Sequence, residues 1–241
     1  MITATAVPIL SDNYAWLLRC GETGATAIVD PAEAAPIEAA IDAAGGKLDL
    51  ILLTHHHDDH IAAVDAIRAR YGASVVGNGA DAARLPKLDQ ATAPGETVRV
   101  GACEAAVIDT PGHTIGHVVY HFAEGDVLIA GDTLFSLGCG RLLEGTPAQM
   151  YASLRKLAPL PPQTLVCCGH EYTATNARFA RGVDPDNADL QAYAEQVTKL
   201  RAEGRPTIPS RLATELACNP FLRAPDEPSF AAIRRQRDTF K

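Results

Sequence analysis

The sequence predicts a layered α/β fold followed by a helical C-terminal segment. Short apolar runs typical of buried strands alternate with amphipathic helical stretches as far as residue 168. From residue 171 onward the pattern is helical, over about 70 residues. Several predicted strands lead directly into histidine or aspartate, and in layered α/β folds sites gather at the carboxyl ends of strands.

Length, charge and cysteine content exclude several classes of protein. The 241 residues suffice for one large domain, or for a main domain and a smaller one. The net charge of −8 argues against a nucleic-acid surface, and no apolar run approaches the roughly 20 residues of a membrane helix. The N-terminus lacks the basic start and apolar core of a signal peptide, and the six cysteines form no CxxC pair. We therefore expect a reduced, cytoplasmic protein that binds neither nucleic acid nor a membrane. We also expect a monomer.

In the first half of the chain, apolar alternation and glycine or proline signals define the elements in order. Ile37, Ala40, Ile41 and Ala44 recur at i, i+3, i+4 and i+7, which predicts an amphipathic helix ended by Gly45-Gly46. We predict strands over 2–7, 13–19, 25–29, 48–53 and 73–77, helices over 33–44 and 61–70, and irregular chain over 80–96.

In the second half, Thr146-Pro147-Ala148-Gln149 combines an N-cap threonine, a proline in the first turn and a glutamine at N3, which predicts the start of a helix. We predict strands over 97–100, 104–109, 117–122, 126–130 and 164–168. Beyond residue 171 we predict helices over 171–181, 187–203 and 228–240, no strand, and an extended proline-rich connection over 204–228.

The stretch from Leu48 to His60 carries the main functional signal. Leu48 to Leu53 is typical of a strand buried on both faces, and four histidines and two aspartates follow within seven residues. Such a cluster has no packing rationale, whereas imidazole and carboxylate together suit zinc and similar metals. The alternative is a polar loop with chance histidines. Alternation places His55 and His57 on one side of the chain, and Asp59 and His60 begin the next turn.

Three later strands end at a glycine that is followed by one metal-capable residue: His113, Asp132 and His170. Glycine lets the backbone turn sharply and approach a site closely. The candidate ligands are then seven: His55, His57, Asp59, His60, His113, Asp132 and His170. One zinc uses three or four protein ligands, so seven suit two ions about 3.5–4 Å apart with one bridging carboxylate.

These segments resemble the motifs of a known family. Thr54-His55-His56-His57-Asp58-Asp59-His60 is similar to the HxHxDH signature of the metallo-β-lactamase superfamily. Further segments resemble motifs of glyoxalase II, the hydroxyacylglutathione hydrolases: 110–114, 131–135, 138–141, 168–173, 218–223 and 234–238. The first signature alone specifies the superfamily, and the C-terminal segments narrow the resemblance to this family.

The resemblance implies an αββα metallo-β-lactamase-like sandwich over residues 1–170, which would bind the metals, and a small helical domain over residues 171–241, which would bind glutathione. It implies that His55, His57 and His113 hold one ion and that Asp59, His60 and His170 hold the other. Asp132 would bridge the two ions. The implied substrate is S-D-lactoylglutathione, cleaved to D-lactate and glutathione in the second step of methylglyoxal detoxification.

The chemistry of such a site suggests a mechanism. Two divalent ions, with zinc as the first choice and iron or manganese as alternatives, would lower the pKa of a shared water towards neutrality. The resulting metal-bridging hydroxide could attack the thioester carbonyl while one ion stabilises the oxyanion. The thiolate leaves readily without a strong general acid. We expect Asp59 to ligate one ion and to orient this hydroxide.

Arg234, Arg237 and Lys241 lie at i, i+3 and i+7 and form a cationic stripe on the last predicted helix. Guanidinium groups grip carboxylates such as those of glutathione, and a solvated helix face is the alternative. The resemblance implies glutathione contacts at Arg141, Tyr172, Arg234 and Arg237.

The sequence departs from the family pattern at two positions. Leu143 stands where many relatives have a tyrosine, so we expect weaker glutathione affinity. Asp58 replaces an aromatic residue that is common in the family beside the metals.

Three other functions fit parts of this pattern. They are a lactonase or non-glutathione thioesterase of the same superfamily, an iron-dependent persulfide dioxygenase with one metal, and a metal-stabilised binding module without catalysis. The C-terminal arginines and Tyr172 argue against the first, and the full ligand set argues against the second. The ligand set would leave coordination positions on the metals open to water, which argues against the third, a module without catalysis.

Overall fold

Two six-stranded sheets pack face to face. A computed structural model describes residues 1–240, and Lys241, the last member of the predicted cationic stripe, lies outside the described residues. In the first sheet the strand order follows the chain, and β3 to β6 are parallel. Its strands are β1 (Ile2–Ile9), β2 (Asn13–Cys20), β3 (Thr26–Val29), β4 (Leu50–Leu52), β5 (Ser74–Asn78) and β6 (Gln90–Thr92).

The second sheet continues from β7 and is mostly antiparallel, with one parallel pair, β10 and β13. Its strands are β7 (Thr97–Val100), β8 (Cys103–Asp109), β9 (Val118–Phe122), β10 (Val127–Gly131), β13 (Leu165–Cys168) and β14 (Ser210–Arg211). Their order is β14-β13-β10-β9-β8-β7. The hairpin of β11 (Leu134–Phe135) and β12 (Gly138–Cys139) stands apart from both sheets.

Helices cover the outer faces of the two sheets. They are α1 (Ala34–Ala43), α2 (Asp58–Ile61), α3 (Val64–Tyr71), α4 (Pro147–Leu157), α5 (Thr173–Val183), α6 (Ala188–Ala202), α7 (Leu212–Cys218), α8 (Pro220–Arg223) and α9 (Glu227–Thr239). Among residues 1–240, no helix is both long and apolar enough to cross a membrane.

Three apolar layers hold the sandwich together. Trp16, Leu18, Tyr120 and Phe122 are among the residues that fill the space between the sheets. Ile41 of α1 and Ile67 of α3 pack on the outer face of the first sheet. Leu154 of α4 and Phe230 of α9 pack on the outer face of the second. The layers are therefore helix, sheet, sheet and helix, which confirms the expected αββα sandwich.

The helix predicted over 61–70 begins later, as α3 at Val64, and a separate short helix that ends at Ile61 precedes it. This short helix, α2, begins at Asp58 and is a single turn that carries Asp59 and His60. The N–H of Ala63 donates to the carbonyl of Pro31 at 3.0 Å, outside the helical ladder, and α3 begins one residue later. A tertiary hydrogen bond thus divides a segment whose apolar period is continuous.

The prediction that no strand follows residue 171 is wrong. β14 pairs antiparallel with β13, with Ser210 opposite Val166. The connection predicted as extended also contains α7 and α8, and β6 lies within the stretch predicted as irregular. Pro220 starts α8 rather than ending a helix, and the Asn219 side chain caps α8 by accepting the Phe221 N–H at 3.0 Å.

Candidate metal centre and active site

The seven predicted donors meet at one rim of the sandwich. Four segments deliver them, after β4, β8, β10 and β13, each from the carboxyl end of its strand. In two of these segments the chain passes very close to its neighbours. A Cβ at Gly131 would lie 2.6 Å from the Thr54 hydroxyl, and one at Gly169 would lie 2.5 Å from an Asp132 oxygen. Only glycine fits these positions.

Three histidines form the first group of donors. His55 Nε2 lies 3.1 Å from His57 Nδ1, and His113 Nε2 lies 3.0 Å from the same atom. These three nitrogens, one from each ring, could hold a single metal ion together. His57 presents Nδ1 whereas His55 and His113 present Nε2.

Asp59, His60 and His170 form the second group. Asp59 Oδ2 lies 3.9 Å from His60 Nε2 and 3.5 Å from His170 Nε2. Both imidazoles are buried, while the Asp59 side chain is 45% exposed. Asp59 is therefore the donor of this group that a substrate or water can reach. Asn13 fixes it, because its side-chain amide donates to Asp59 Oδ2 at 3.0 Å and to the Asp59 carbonyl at 3.2 Å.

Asp132 lies between the two groups. Its Oδ2 is 3.4 Å from His113 Nε2 and 3.3 Å from His170 Nε2, and its Oδ1 is 3.4 Å from His60 Nε2. One carboxylate oxygen thus faces a histidine of each group, which is the placement of a bridging ligand.

The donor set fits metal ions. Among residues 1–240, the buried atoms His60 Nε2 and Asp132 Oδ1 have no hydrogen-bond partner, and they face each other at 3.4 Å. A buried polar atom without a partner is costly, so this arrangement calls for a cation or an ordered solvent molecule there. Nitrogen and carboxylate donors in these numbers support two divalent ions.

Hydrogen bonds on the far side of the rings fix which nitrogen faces the metals. The Nδ1 of His60 lies 3.0 Å from Asp30 Oδ2, that of His113 lies 2.7 Å from the Arg141 carbonyl, and that of His170 lies 3.0 Å from Asp12 Oδ1. An imidazole that donates from Nδ1 to an oxygen keeps the lone pair of Nε2 free. All three rings are thereby oriented for metal binding.

Burial and charge shape the protonation of the rim. Burial lowers the pKa of His55 well below its usual value, and neighbouring histidines add to the effect, so this ring is neutral and available as a ligand. Burial alone would raise the pKa of Asp132, but the charges of His60 and His170 hold it well below its usual range. Burial likewise lowers the pKa of His60, and the Asp132 carboxylate outweighs it and raises that pKa well above normal.

His117 contacts two of the candidate donors, Asp132 and His55, and helps to hold them in place. Its Nε2 accepts the backbone N–H of Asp132 at 3.0 Å, and its Nδ1 lies 3.1 Å from the hydroxyls of Thr110 and Thr133. The ring also stacks on His55, with centroids 4.8 Å apart. His56 points away from the metal donors, towards Asp81 at 3.3 Å and Glu144 at 3.5 Å.

A cavity of about 270 Å³ adjoins the second donor group. Tyr172 joins the two, because its ring stacks on His170 with centroids 4.6 Å apart. The four predicted substrate contacts, Arg141, Tyr172, Arg234 and Arg237, all line this cavity. Its polar walls carry three arginines against one aspartate, Asp238, so it suits an anionic ligand.

The arginines of α9 differ in their surroundings. Arg234 is buried, donates to the Cys139 carbonyl at 3.0 Å and pairs with Asp238 at 2.8 Å. Arg237 donates to Asn176 Oδ1 at 3.2 Å and keeps part of its surface open. The alternative of a solvated helix face therefore does not hold for Arg234, which also ties α9 to β12. Asp58 and Leu143, the two positions at which the sequence differs from the family pattern, are both exposed.

Sequence reasoning missed the supporting residues Asp12, Asn13, Asp30 and Thr54. Asp30 accepts the N–H of Thr54 at 2.8 Å and its hydroxyl at 2.6 Å, in addition to its contact with His60. Asp30 also lies near His55 in a group that could hold an ion, but these hydrogen bonds occupy its oxygens. A weak signal was present, since Asp30 ends β3 just as the metal donors end their strands.

Comparisons with known proteins agree with this geometry. Residues 10–170 match the metallo-beta-lactamase superfamily, and residues 171–240 match the hydroxyacylglutathione hydrolase C-terminus. The hydroxyacylglutathione hydrolase of Acidiphilium cryptum (strain JF-5) is 61% identical over 239 residues, which cover 99% of this chain and 97% of that protein.

Solved structures share the fold. ETHE1 from Myxococcus xanthus aligns with a TM-score of 0.72 and 26% identity, covering 98% of this chain and 90% of that one. TTHA1623 in a di-iron-bound form aligns with a TM-score of 0.60 and 29% identity, covering 70% of this chain and 91% of that one. With a sandwich, a two-group donor rim and both family matches in place, the chain belongs to the hydroxyacylglutathione hydrolases, the glyoxalase II family of the metallo-β-lactamase superfamily.

Proposed function

We propose that the protein hydrolyses S-D-lactoylglutathione, a 2-hydroxyacylglutathione, to D-lactate and glutathione. The observation that carries this proposal is the junction at Tyr172, which places an arginine-lined cavity directly beside a rim of seven metal donors. A thioester whose peptide part lies in the cavity would bring its carbonyl to the rim. The similarity to the hydroxyacylglutathione hydrolase of Acidiphilium cryptum supports the same substrate.

In this proposal His55, His57 and His113 bind one ion, and Asp59, His60 and His170 bind the other, with Asp132 shared. Zinc is the first candidate, because histidine and carboxylate donors suit it, and iron or manganese are alternatives. The similar protein TTHA1623 has been solved in a di-iron-bound form, which supports iron as a candidate. When bound, the two ions would supply Lewis acidity and lower the pKa of water.

The protein's own groups would then position the reactants. Asn13 holds the half-exposed Asp59 carboxylate, which would accept a hydrogen bond from the attacking water and orient it. Arg237 and Arg141 would bind the carboxylates of glutathione, and the ring of Tyr172 would hold the substrate against the rim. The leaving thiolate needs no strong general acid.

We also propose the division of labour that the resemblance implies, with residues 1–170 as the catalytic domain and residues 171–241 as the glutathione-binding domain. Phe135, Cys139 and Arg141 contribute one wall of the cavity, and the helices after residue 171 contribute the rest. The six buried free cysteines support a reducing compartment such as the cytoplasm. A monomer is the expected state, and size-exclusion chromatography tests it.

Replacing Asp132 with alanine tests the metal assignment. We expect kcat for S-D-lactoylglutathione to fall by more than about 100-fold, because the change removes a ligand shared by both ions. Changes to residues that only support a ligand typically cost about 10–100-fold. Metal content, measured on the same sample, should fall from two ions per chain. The matched control is Asp186→Ala at an exposed position. Normal turnover and metal content in the Asp132 variant would show that the donor assignment is wrong.

The substrate itself is tested by comparing S-D-lactoylglutathione with a thioester of the same acid that lacks glutathione. The proposal expects a much higher kcat/KM for the glutathione thioester. Equal rates would favour a general thioesterase or lactonase, and oxygen consumption with a glutathione persulfide would indicate a dioxygenase.

A further inference from the structure

Two cysteine sulfurs meet at the end of the sandwich opposite the metal donors. Cys20 is the last residue of β2 and Cys103 is the first residue of β8. The Cys103 thiol donates to Cys20 Sγ at 3.2 Å, and both side chains are buried. The two residues lie 83 positions apart and in different sheets. A covalent bond between these sulfurs would therefore join the two sheets directly.

The two thiols differ in acidity. The neighbouring groups of Thr23, the Cys103 thiol and the amide of Glu22 together lower the pKa of the Cys20 thiol to about 6. Burial raises the pKa of Cys103. At neutral pH, Cys20 is thus suited to act as the nucleophile and Cys103 as the resolving thiol.

Two short, exposed turns adjoin the two cysteines. Gly21 to Gly24 follow Cys20 and are exposed, and Gly101 and Ala102 precede Cys103 and are exposed. The turns touch, because a Cβ at Gly101 would lie 2.0 Å from the Thr23 hydroxyl. Opening of one turn would give a small oxidant access without disturbing either sheet.

We propose that Cys20 and Cys103 form a reversible disulfide by exchange with a low-molecular-weight disulfide such as oxidised glutathione. The Cys20 thiolate attacks one sulfur of the oxidant, forms a mixed disulfide and releases one thiolate. Cys103 then attacks Cys20 Sγ, and its proton passes to the second thiolate as that thiolate leaves. The two cysteines together lose two electrons, and the oxidant is reduced to a thiolate and a thiol.

The cross-link would strengthen the fold and leave the active site unchanged. Asn13 at the other end of β2 contacts Asp59, and the eight residues of β2 place Cys20 roughly 20 Å away from it. Closing an 83-residue loop restricts the unfolded chain strongly. The protein would thereby gain resistance to unfolding when the surroundings become oxidising.

The test uses the metal-loaded enzyme, equilibrated in buffers of reduced and oxidised glutathione, alkylated and mapped by mass spectrometry. We expect a peptide linked through Cys20 and Cys103 that dithiothreitol releases, a Tm higher by about 5–10 °C in the oxidised form, and an unchanged kcat. Cys103→Ser should instead retain a glutathione adduct on Cys20 and gain no Tm.

Cys218→Ser provides the matched control, since this cysteine is buried in a different apolar cluster and the variant should keep the cross-link. Should Cys103→Ser fail to fold, peptide mapping of the unaltered protein decides the matter alone. Oxidised enzyme that carries adducts or other cysteine pairings without the Cys20–Cys103 link would overturn the proposal. An oxidised form that carries the link but unfolds at the reduced enzyme's Tm would overturn the stabilising role.

Discussion

At the scale of the residue, Asp30 shows how the metal donors depend on groups outside the rim. Its carboxylate accepts from the His60 ring and from both the amide and the hydroxyl of Thr54. Thr54 in turn lies 3.0 Å from His55 Nδ1. One buried carboxylate therefore orients a histidine of each donor group.

We predict that Asp30→Asn lowers metal affinity or kcat by about 10–100-fold. The amide nitrogen of asparagine is a hydrogen-bond donor, so it would face a donor on Thr54 or His60 and lose that bond. Metal titration and steady-state kinetics measure the effect. Asp12→Asn is the comparison, because among residues 1–240 the Asp12 side chain supports His170 alone, and it is 43% exposed. We expect a smaller loss there, and equal losses would contradict the role assigned to Asp30.

Leu143 tests the predicted weakness of glutathione binding. Its side chain is 55% exposed, two residues from Arg141 at the cavity. Leu143→Tyr should lower KM for the glutathione thioester by about fivefold, the value of one added hydrogen bond of about 1 kcal/mol. Leu143→Phe supplies the ring without the hydroxyl and separates the two effects. If KM is the same in both variants and in the unaltered protein, no such bond exists.

That the seven candidate donors lie together was predictable from the sequence, because each follows the end of a strand, which is a local feature. The supporting groups were not, because their contacts depend on how distant strands meet. Asp12 and His170, for example, are separated by 158 positions. No local pattern marks which exposed or buried aspartate will face a histidine so far along the chain.

At the scale of the element, the position of α9 beside the cavity depends on a buried aromatic ring. Phe230 is fully buried and meets Phe221 and Tyr151 at ring centroid distances of 5.7 and 6.0 Å. One turn or two later, the same helix carries Arg234 and Arg237 to the cavity. The position of the arginines therefore depends on the packing of this ring.

We predict that Phe230→Ala costs about 3–5 kcal/mol of stability and raises KM more than it lowers kcat, since α9 loosens while the metal rim stays intact. Urea unfolding and steady-state kinetics measure both. Gln236→Ala, exposed on the same helix, should change stability by less than about 0.5 kcal/mol. A fall in kcat with an unchanged KM would contradict this account of α9.

The long periodic elements were predicted to within a few residues, as were four-residue strands such as β3 and β7, but the two-residue strands were not. β11, β12 and β14 each have two residues, too few to show alternation. Prolines in the 204–228 stretch were interpreted as breakers, although Pro220 begins α8. Whether such a short strand forms depends on the neighbouring strand with which it pairs rather than on its own sequence.

At the scale of the whole molecule, Glu215 links the C-terminal helices to the sandwich. It is completely buried on α7, where it accepts the Leu137 N–H at 2.8 Å and the Asn219 amide at 3.0 Å. Asn219 also donates to the carbonyls of Phe135 and Gly138. These bonds hold the β11–β12 hairpin, which forms one wall of the cavity, against α7.

Burial raises the pKa of Glu215 above its ordinary value of 4.5. The unfolded chain therefore releases this proton at lower pH than the folded protein, so this group's contribution to stability falls as pH rises above about 4.5. We predict that Glu215→Gln, which stays neutral, gains stability over the natural protein by up to about 1.4 kcal/mol per pH unit, until the folded-state pKa is passed. Urea unfolding from pH 5 to 8 measures the difference. Parallel curves would show that Glu215 does not titrate this way.

The two-residue strand β14 has a consequence for anyone dividing this protein. It covers the free edge of β13, whose last residues lead directly to the candidate metal donor His170. A shortened version ending near residue 170 would leave that edge bare, with its backbone amides and carbonyls open to any neighbouring strand. Such a fragment would tend to aggregate through edge-to-edge association, even though every proposed metal ligand would still be present in it.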